Sequence, residues 1–402
     1  MKSDFHRKVL KNGMTVILEK RDLPIVSVAF AVRNGGVNEK EEEKGISHFI
    51  EHMLYKGTPS RNSKKIAEEI ERNGGDLNGF TSEEITAYWC KMPSKHLNIA
   101  LDVLGDLVRN PLFDEKELEK ERKVIFEEIK MYKDTPRLHV FDEIQKLLYD
   151  GNMKINLAGT YDTMNSITRE KMVEVFKNIY SPNNMILCVV GDADFDSLMD
   201  FAEKNFTGEN KKIPLEEFHL ENASKIEERV GIDQASIMFA YHVPLANEEK
   251  SSAAVVLNAI TAGGMSSRLF SEIREKRNLA YSVKGDSNIN KTFAYNLIYV
   301  GAMKENVEKV KKLILEEFDK ISNSLEEKEL EEIKEQLIGN YHISMEDSQH
   351  QMVNLLVYEL YGNSEKFYDF EKEISKVTLE EVRELASNVK DDYSFFALVP
   401  KD

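Results

Sequence analysis

Short apolar stretches alternate with segments of helical spacing over the first hundred residues of the chain. Residues 14–21 and 25–34 are rich in apolar and β-branched side chains, which is typical of strands. Apolar positions three and four apart follow in residues 43–56 and 63–75, and both segments end at a glycine, so each is predicted to be a helix. Residues 77–92 mix Thr, Ile, Tyr and Trp and indicate a pair of strands.

The rest of this half adds two helices and a strand, and the second half then repeats the order. An amphipathic helix is predicted over residues 94–110, a highly charged helix over 114–132 and an apolar strand over 185–192. After a polar stretch, the second half shows the same succession and ends in a strand, residues 393–400, of the same type. We therefore expect an α+β fold of two similar domains, each a mostly antiparallel sheet packed with helices, that arose by internal duplication.

Domain boundaries follow from this repeat and from the polar stretch between its two copies. We predict a first domain over residues 1–209, a linker over residues 210–228 and a second domain over residues 229–402. A chain of 402 residues is long enough for two domains of this size, each with its own core.

Composition and charge exclude several classes of protein. Acidic residues outnumber Lys and Arg by 71 to 54, which gives a net charge of −17, so nucleic acids and anionic membranes would repel the chain overall. The sequence shows no apolar segment with the length of a signal peptide or a membrane span, and we expect a cytoplasmic protein that binds neither nucleic acid nor membrane. Cys90 and Cys188 are the only cysteines, which excludes a disulfide framework.

The strongest candidate for chemistry is the sequence His-Phe-Ile-Glu-His at residues 48–52. On a helix, His48 and His52 face the same way and can bind one metal ion through their imidazoles. Glu51 lies on nearly the same face, where it can reach a metal-bound water without being a ligand itself. Two histidines on a half-buried helix with a surface glutamate are the alternative interpretation of this pattern.

With this motif the chain resembles the pitrilysin-type zinc peptidases (family M16), and among them the short two-domain members related to the mitochondrial processing peptidase. In that family the third zinc ligand is a glutamate seventy-six residues after the second histidine, a position that is Glu128 here. Periodicity alone does not decide between Glu128 and its neighbour Glu127, and the choice of Glu128 rests on the family spacing. Glu121, two helical turns before Glu128, matches the family's second acidic position and is expected to contact a zinc ligand.

The resemblance extends to a strand that binds substrate. Residues 74–89 are similar to the family's glycine pair followed by an edge strand, on which a peptide substrate lies extended and adds a strand. Asn78 falls on the family's substrate-binding asparagine, and Gly79 stands where alanine is more usual. The resemblance thus implies that Asn78, Gly79, Phe80 and Thr81 bind substrate, whereas an ordinary covered strand is the alternative interpretation.

A segment of the second half resembles the family segment that carries an arginine and a tyrosine seven residues apart. These residues are Arg274 and Tyr281 here, and Asn278 stands between them where glycine is usual. The resemblance implies that both contact the scissile part of the substrate, with Tyr281 near the developing oxyanion. A surface arginine and a buried tyrosine are the alternative interpretation.

Aligning the two repeats indicates that the second copy lacks the metal ligands. The positions that match His48, Glu51, His52 and Glu128 are Arg268, Ser271, Glu272 and Asn340. We therefore expect one zinc ion (Zn²⁺) per chain.

Taken together, the resemblance implies a zinc endopeptidase that hydrolyses unfolded peptides or presequence-like segments. Larger family members join two such halves into a clamshell that encloses the substrate, so this shorter chain is expected to form a homodimer. In that dimer Arg274 and Tyr281 would act on the partner's zinc site. Two alternatives stay open: a catalytic subunit that is active only with a different partner chain, and a non-catalytic assembly subunit.

Overall fold

A computed structural model of the chain describes residues 4–401. The first half contains the strands β1 (Asp4–Val9), β2 (Thr15–Lys20), β3 (Ile25–Val32), β4 (Asp76–Thr81), β5 (Thr86–Pro93) and β6 (Met185–Gly191). Its helices are α1 (Ile46–Leu54), α2 (Ser63–Glu71), α3 (Leu97–Leu107), α4 (Glu115–Asp134), α5 (Pro136–Leu148), α6 (Tyr161–Ser166), α7 (Arg169–Ile179) and α8 (Phe195–Asn205).

The second half contains a similar set of elements. Its strands are β7 (Ser224–Arg229), β8 (Ala235–His242), β9 (Ala280–Ile289), β10 (Ala294–Ala302) and β11 (Ser394–Pro400). Its α-helices are α9 (Ser251–Ala262), α10 (Val307–Ser324), α11 (Glu327–Ser344), α12 (Ser348–Leu360), α13 (Phe370–Lys376) and α14 (Leu379–Asn388). Among residues 4–401, no helix is both long enough and apolar enough to cross a membrane.

The two sheets share one topology. The first has the strand order β1-β2-β6-β3-β5-β4 and the second β7-β11-β8-β10-β9. In each sheet, a strand from the start of the repeat pairs in parallel with the strand at its end: β2 with β6, and β7 with β11. The remaining strand pairs are antiparallel. The second sheet therefore reproduces five strands of the first, and β1 is an addition. The predicted α+β fold with two similar, mostly antiparallel sheets is confirmed.

Residues 4–401 form two compact units that are not continuous along the chain. The first unit comprises residues 4–130, 155–217 and 344–367, and the second comprises residues 131–154, 218–343 and 368–401. The chain passes from the first unit to the second between residues 217 and 218, which lies within the predicted linker. The structure also places all but the last residue of β7 in that linker. Each unit includes one helix from the other half of the chain: α12 packs against β3 and β6, and α5 packs against β8 and β11.

Buried polar contacts fix α12 on the first sheet. Glu359 accepts two hydrogen bonds from Arg7, at 2.7 and 2.8 Å, and one from Arg33 at 2.9 Å. Burial acts to raise the pKa of Glu359, but these guanidinium groups outweigh it and the pKa is lowered. Gln351 donates to Glu19 at 2.7 Å. Because a buried charge without its partner is costly, these contacts favour a single docking position for the helix.

Candidate functional site

Helix α1 carries the His-x-x-Glu-His sequence with its apolar side in the core. Phe49, Ile50 and Met53 are buried in the hydrophobic core of the first unit. The helix therefore cannot rotate without exposing them, and His48 and His52 are held on the opposite, half-buried side. Their Nε2 atoms lie 3.2 Å apart. Residues 41–43 form a separate 3₁₀ turn, which is why α1 begins three residues later than predicted.

A buried carboxylate fixes the start of α1. Glu39 accepts hydrogen bonds from the backbone N–H groups of Gly45 at 2.9 Å and Ser47 at 2.6 Å, two donors that the helix itself cannot satisfy. Burial raises the pKa of Glu39 to about 7, although Lys44 and the two N–H groups favour the ionised form. The ammonium of Lys44 bonds the carbonyl of Gly36 at 3.0 Å.

Helix α4 brings Glu128 to the two histidines. Its Oε2 atom lies 3.6 Å from Nε2 of His48 and 3.7 Å from Nε2 of His52. Glu127 is exposed on another side of α4. Within the described part of the chain, Glu128 pairs with no lysine or arginine, so its carboxylate remains available to a cation.

These three side chains fit a zinc ion. A tetrahedral ion that binds its ligands at about 2.0–2.1 Å separates them by about 3.3–3.4 Å, and the observed separations lie on either side of that range. Nδ1 of His52 lies 3.2 Å from Oε2 of Glu121, an arrangement that keeps the proton on Nδ1 and the lone pair of Nε2 toward the site. Glu121 is in turn 2.6 Å from Nζ of Lys56.

Burial shifts the pKa values of two groups in the site, His48 and Glu51. It lowers the pKa of His48 to about 3, with a further contribution from the charge of His52, so His48 is neutral and able to act as a ligand. Burial also raises the pKa of Glu51; Glu128 adds to the rise, whereas His52 and Thr81 oppose it. A carboxylate with a raised pKa is a stronger base, as a proton acceptor at neutral pH requires.

A second group with possible metal ligands has a different character. His139 and Glu143 on α5 lie close to Glu227 on β7. However, Glu143 is already paired with Lys225 at 2.8 Å, and Glu227 is paired with Arg229 at 3.0 Å. The cationic side chains already neutralise these carboxylates, so this group is an ion-pair network.

The predicted substrate residues lie on β4, the last strand in the order of the first sheet, which pairs with β5 alone among the sheet's strands. Thr81 points toward the motif, and its Oγ1 donates to Oε2 of Glu51 at 3.2 Å. Asn78 is exposed, and its side-chain oxygen accepts from the N–H of Gly79 at 2.8 Å. Phe80 lies between them and is half-buried.

The structure gives a reason for glycine at position 79. A Cβ atom there would lie 2.5 Å from the hydroxyl of Tyr55, 2.9 Å from the backbone oxygen of Ala87 and 3.2 Å from Oε1 of Glu51. The first two distances are shorter than real Cβ contacts allow. Alanine, the more usual residue, is therefore incompatible with the observed positions of the Tyr55 hydroxyl and the Ala87 carbonyl.

Arg274 and Tyr281 belong to the second unit. Arg274 is on a turn of π-helix, Phe270–Glu275, a conformation that is frequent at functional sites. Its guanidinium lies 4.8 Å from the ring centre of Phe270. Both Arg274 and Tyr281 line an open cavity of about 630 Å³, to which Met265 and Phe270 contribute apolar surface.

Tyr281 stands half-exposed, at 52%, at the start of β9. Partial burial raises its pKa to about 12, with Tyr299 as the next cause, so the phenol is a neutral hydrogen-bond donor. A Cβ atom at Gly301 would collide with the ring, so the absence of a side chain there positions Tyr281. Asn278 has a φ of +51°, in the left-handed region that glycine favours and asparagine tolerates, which explains how asparagine replaces the usual glycine.

The first unit thus brings together His48, His52, Glu128, Glu121, Glu51, Asn78, Gly79, Phe80 and Thr81, and the second unit holds Arg274 and Tyr281. The sequence interpretation missed Tyr55, Lys56 and Glu39. Tyr55 and Lys56 follow Glu51 and His52 by four residues, and this spacing could have identified both as neighbours of the motif. Nothing in the sequence pattern singles out Glu39.

Comparison with known proteins places the chain in a family. The family model described as "Insulinase (Peptidase family M16)" matches residues 15–160, and the one described as "Peptidase M16 inactive domain" matches residues 166–337. The uncharacterized zinc protease YmxG of Bacillus subtilis is 33% identical over 405 residues, covering 98% of this chain and 98% of its own. An uncharacterized zinc protease of Rickettsia felis is 31% identical, covering 98% of this chain and 93% of its own.

Solved structures agree with this assignment. A crystal structure described as a protease from Helicobacter pylori superimposes with a TM-score of 0.92 at 21% sequence identity, covering 99% of this chain and 100% of that one. At that identity the likeness establishes the fold. Together with the two family models and the bacterial relatives, it means that the chain belongs to the pitrilysin-type peptidase family M16.

Proposed function

We propose that the protein is a zinc endopeptidase that cleaves unfolded peptides or presequence-like segments. The observation that carries the proposal is the cluster of His48, His52 and Glu128, whose ligand atoms lie within 4.8 Å of one another. Glu51 lies beside this cluster with its pKa raised by burial. Three protein ligands leave a fourth position for water, which is the open coordination of a catalytic zinc.

Glu51 performs the proton transfers in this proposal. A zinc ion held by His48, His52 and Glu128 would supply a water of lowered pKa and would polarise the peptide carbonyl. Glu51 accepts a proton from the attacking water and later delivers it to the leaving amine. Thr81 orients the carboxylate by its hydrogen bond to Oε2.

Strand β4 orients the substrate in this proposal. An extended peptide pairs with the main chain of Asn78–Thr81, and this pairing accepts many sequences because backbone groups supply the hydrogen bonds. Only a flexible segment can add to a strand edge in this way, which favours unfolded peptides over folded proteins.

Arg274 and Tyr281 complete the site from a second copy of the chain, in a homodimer that encloses the substrate. Tyr281 presents a neutral hydroxyl and donates to the oxyanion as it develops. Arg274 lies 4.0 Å from the carboxylate of Glu275, its one ion-pair partner among residues 4–401, and it binds a carbonyl or carboxylate of the peptide.

Cleavage of a quenched fluorescent peptide library tests the proposal. Wild-type protein, Glu51→Gln and Glu127→Gln are compared with and without chelator, and each is run on a sizing column. We expect zinc-dependent cleavage by wild type and Glu127→Gln, zinc binding without cleavage by Glu51→Gln, and a dimer on the column. Activity only after another chain is added would favour a hetero-oligomer. Zinc binding without any cleavage would favour an assembly subunit.

A further inference from the structure

Tyr55 has an unsatisfied hydroxyl beside the proposed base. Its oxygen is buried and, within residues 4–401, has no hydrogen-bond partner. A buried hydroxyl without a partner costs free energy, so such a group in a native protein calls for an explanation. Two neighbouring tyrosines show the contrast, since the hydroxyls of Tyr88 and Tyr180 hydrogen-bond each other at 2.6 Å.

Within residues 4–401, Glu51 accepts a hydrogen bond on one oxygen only. Thr81 donates to Oε2, whereas Oε1 faces the backbone of Gly79. A Cβ atom at position 79 would contact both Oε1 of Glu51 and the hydroxyl of Tyr55. The two oxygens therefore border the same small space, which glycine leaves open.

The chemistry of the two groups is complementary. Burial raises the pKa of Tyr55 well above its ordinary value, and the charge of Glu51 adds to the rise. The phenol therefore keeps its proton and is a donor, and an ionised carboxylate accepts hydrogen bonds only. Hydrogen bonds to a charged acceptor are about twice as strong as neutral ones.

We propose that Tyr55 is a positioning residue for Glu51: its hydroxyl donates to Oε1 in the working enzyme, and Gly79 provides the space for this contact. Glu51 is then held by Thr81 on one oxygen and by Tyr55 on the other, so its carboxylate keeps one orientation while it exchanges protons with water and amine. This inference rests on the proposed peptidase function. It also gives one reason for glycine at position 79, beside the close approach of the Ala87 carbonyl.

Kinetics with a matched pair of tyrosine variants test the role. We expect Tyr55→Phe to lower kcat by about tenfold or more, with KM and zinc content unchanged, because it removes a bond to a charged group. Tyr88→Phe removes an equally buried hydroxyl that bonds Tyr180, and we expect it to change kcat by less than twofold. A Tyr55→Phe variant with the kcat of wild type would overturn the proposal.

Melting temperatures test the contact independently of activity. We expect the loss in Tm caused by Tyr55→Phe to be larger when residue 51 is Glu than in Glu51→Gln, because the carboxylate is the stronger acceptor. We also expect Gly79→Ala to lower the Tm of wild type more than that of Tyr55→Phe, because the phenylalanine variant relieves the contact with the hydroxyl while the contact with the Ala87 carbonyl remains in both. In each comparison, an equal loss of Tm in the two backgrounds would show that Tyr55 does not contact the other residue of the pair, Glu51 or Gly79. If wild type cleaves no peptide, the peptidase proposal fails. The two comparisons of Tm still show whether Tyr55 contacts Glu51 and residue 79.

Discussion

His52 and Lys56, one helical turn apart, share the carboxylate of Glu121: Nδ1 of His52 lies 3.2 Å from one oxygen, and Nζ of Lys56 lies 2.6 Å from the other. Lys56 therefore holds Glu121 in the orientation that directs Nε2 of His52 toward Glu128. The position of a proposed zinc-binding atom, Nε2 of His52, thus depends on two residues outside the proposed set of ligands.

Replacement of Glu121 should weaken zinc binding without removing a ligand. We expect Glu121→Gln to lower zinc affinity by about 10–100-fold, the usual effect of losing such a partner. Competition with a chromogenic chelator measures it. The control is Glu117→Gln, one turn earlier on α4, where the carboxylate pairs with exposed Lys120. Equal zinc affinity in the two variants would contradict the assigned role.

The choice between two adjacent glutamates can be tested directly. Glu128→Gln removes an anionic ligand, and we expect stoichiometric zinc binding to be lost. Glu127→Gln, which changes the same group one position away on the exposed side of α4, should bind zinc as wild type does. Metal analysis after gel filtration distinguishes them, and loss of zinc in Glu127→Gln alone would reverse the assignment.

Gly301 should matter for activity although it contributes no side chain. We expect Gly301→Ala to displace the ring of Tyr281 and to lower kcat toward that of Tyr281→Phe, by about 10²–10³-fold for loss of an oxyanion donor. Zinc affinity should not change. Gly339→Ala is the control: it lies in α11 with no atom within 4 Å of the added Cβ. This variant should keep full activity and gain about 0.5–1 kcal/mol in stability. Wild-type kcat in Gly301→Ala would count against the role of Tyr281.

Glu39 should make stability depend on pH. Its pKa in the folded protein is about 7, above the unfolded value, so the folded state binds more protons between these values. Its contribution to stability is therefore fully present below about pH 4.3 and is lost as the pH rises through 7. Glu39→Gln does not ionise, so its free energy of unfolding relative to wild type should rise by about 3 kcal/mol from pH 5 to pH 8. Urea denaturation at several pH values measures this difference, and a constant value would mean that Glu39 stays ionised throughout.

The placement of His48 and His52 on one side of a helix and the succession of most helices and strands along the chain could be predicted from the sequence, because both depend on local spacing. The ends of elements were harder. The charged helix predicted over residues 114–132 extends to Asp134, and a further helix, α5, begins at Pro136, where the fixed φ of proline suits a helix start. Strand β7 was assigned to the linker because its residues are largely polar, as the outermost strand of a sheet allows.

The helices that each unit takes from the other half of the chain could not be predicted at all. An amphipathic pattern predicts that one side of a helix is buried, but it does not predict which sheet that side packs against. The packing of α12 on the first sheet depends on the ion pair between Glu359 and Arg7, which are 352 positions apart in the sequence. The contact between Tyr55 and Gly79 is equally invisible in the pattern, because it depends on the space left by a missing side chain.

The exchange of α5 and α12 has a consequence for synthesis of the protein. The side of the first sheet that α12 covers includes Ile17, Ala29 and Ile186, all buried in the finished structure. Roughly 160 residues separate the end of β6 from the start of α12, and a ribosome takes about 10–30 s to add them. During that interval the nascent first unit carries an uncovered apolar surface. In a chain cut within residues 210–228, only association with the second fragment would cover that surface, so we expect the two fragments to be recovered together or to aggregate separately.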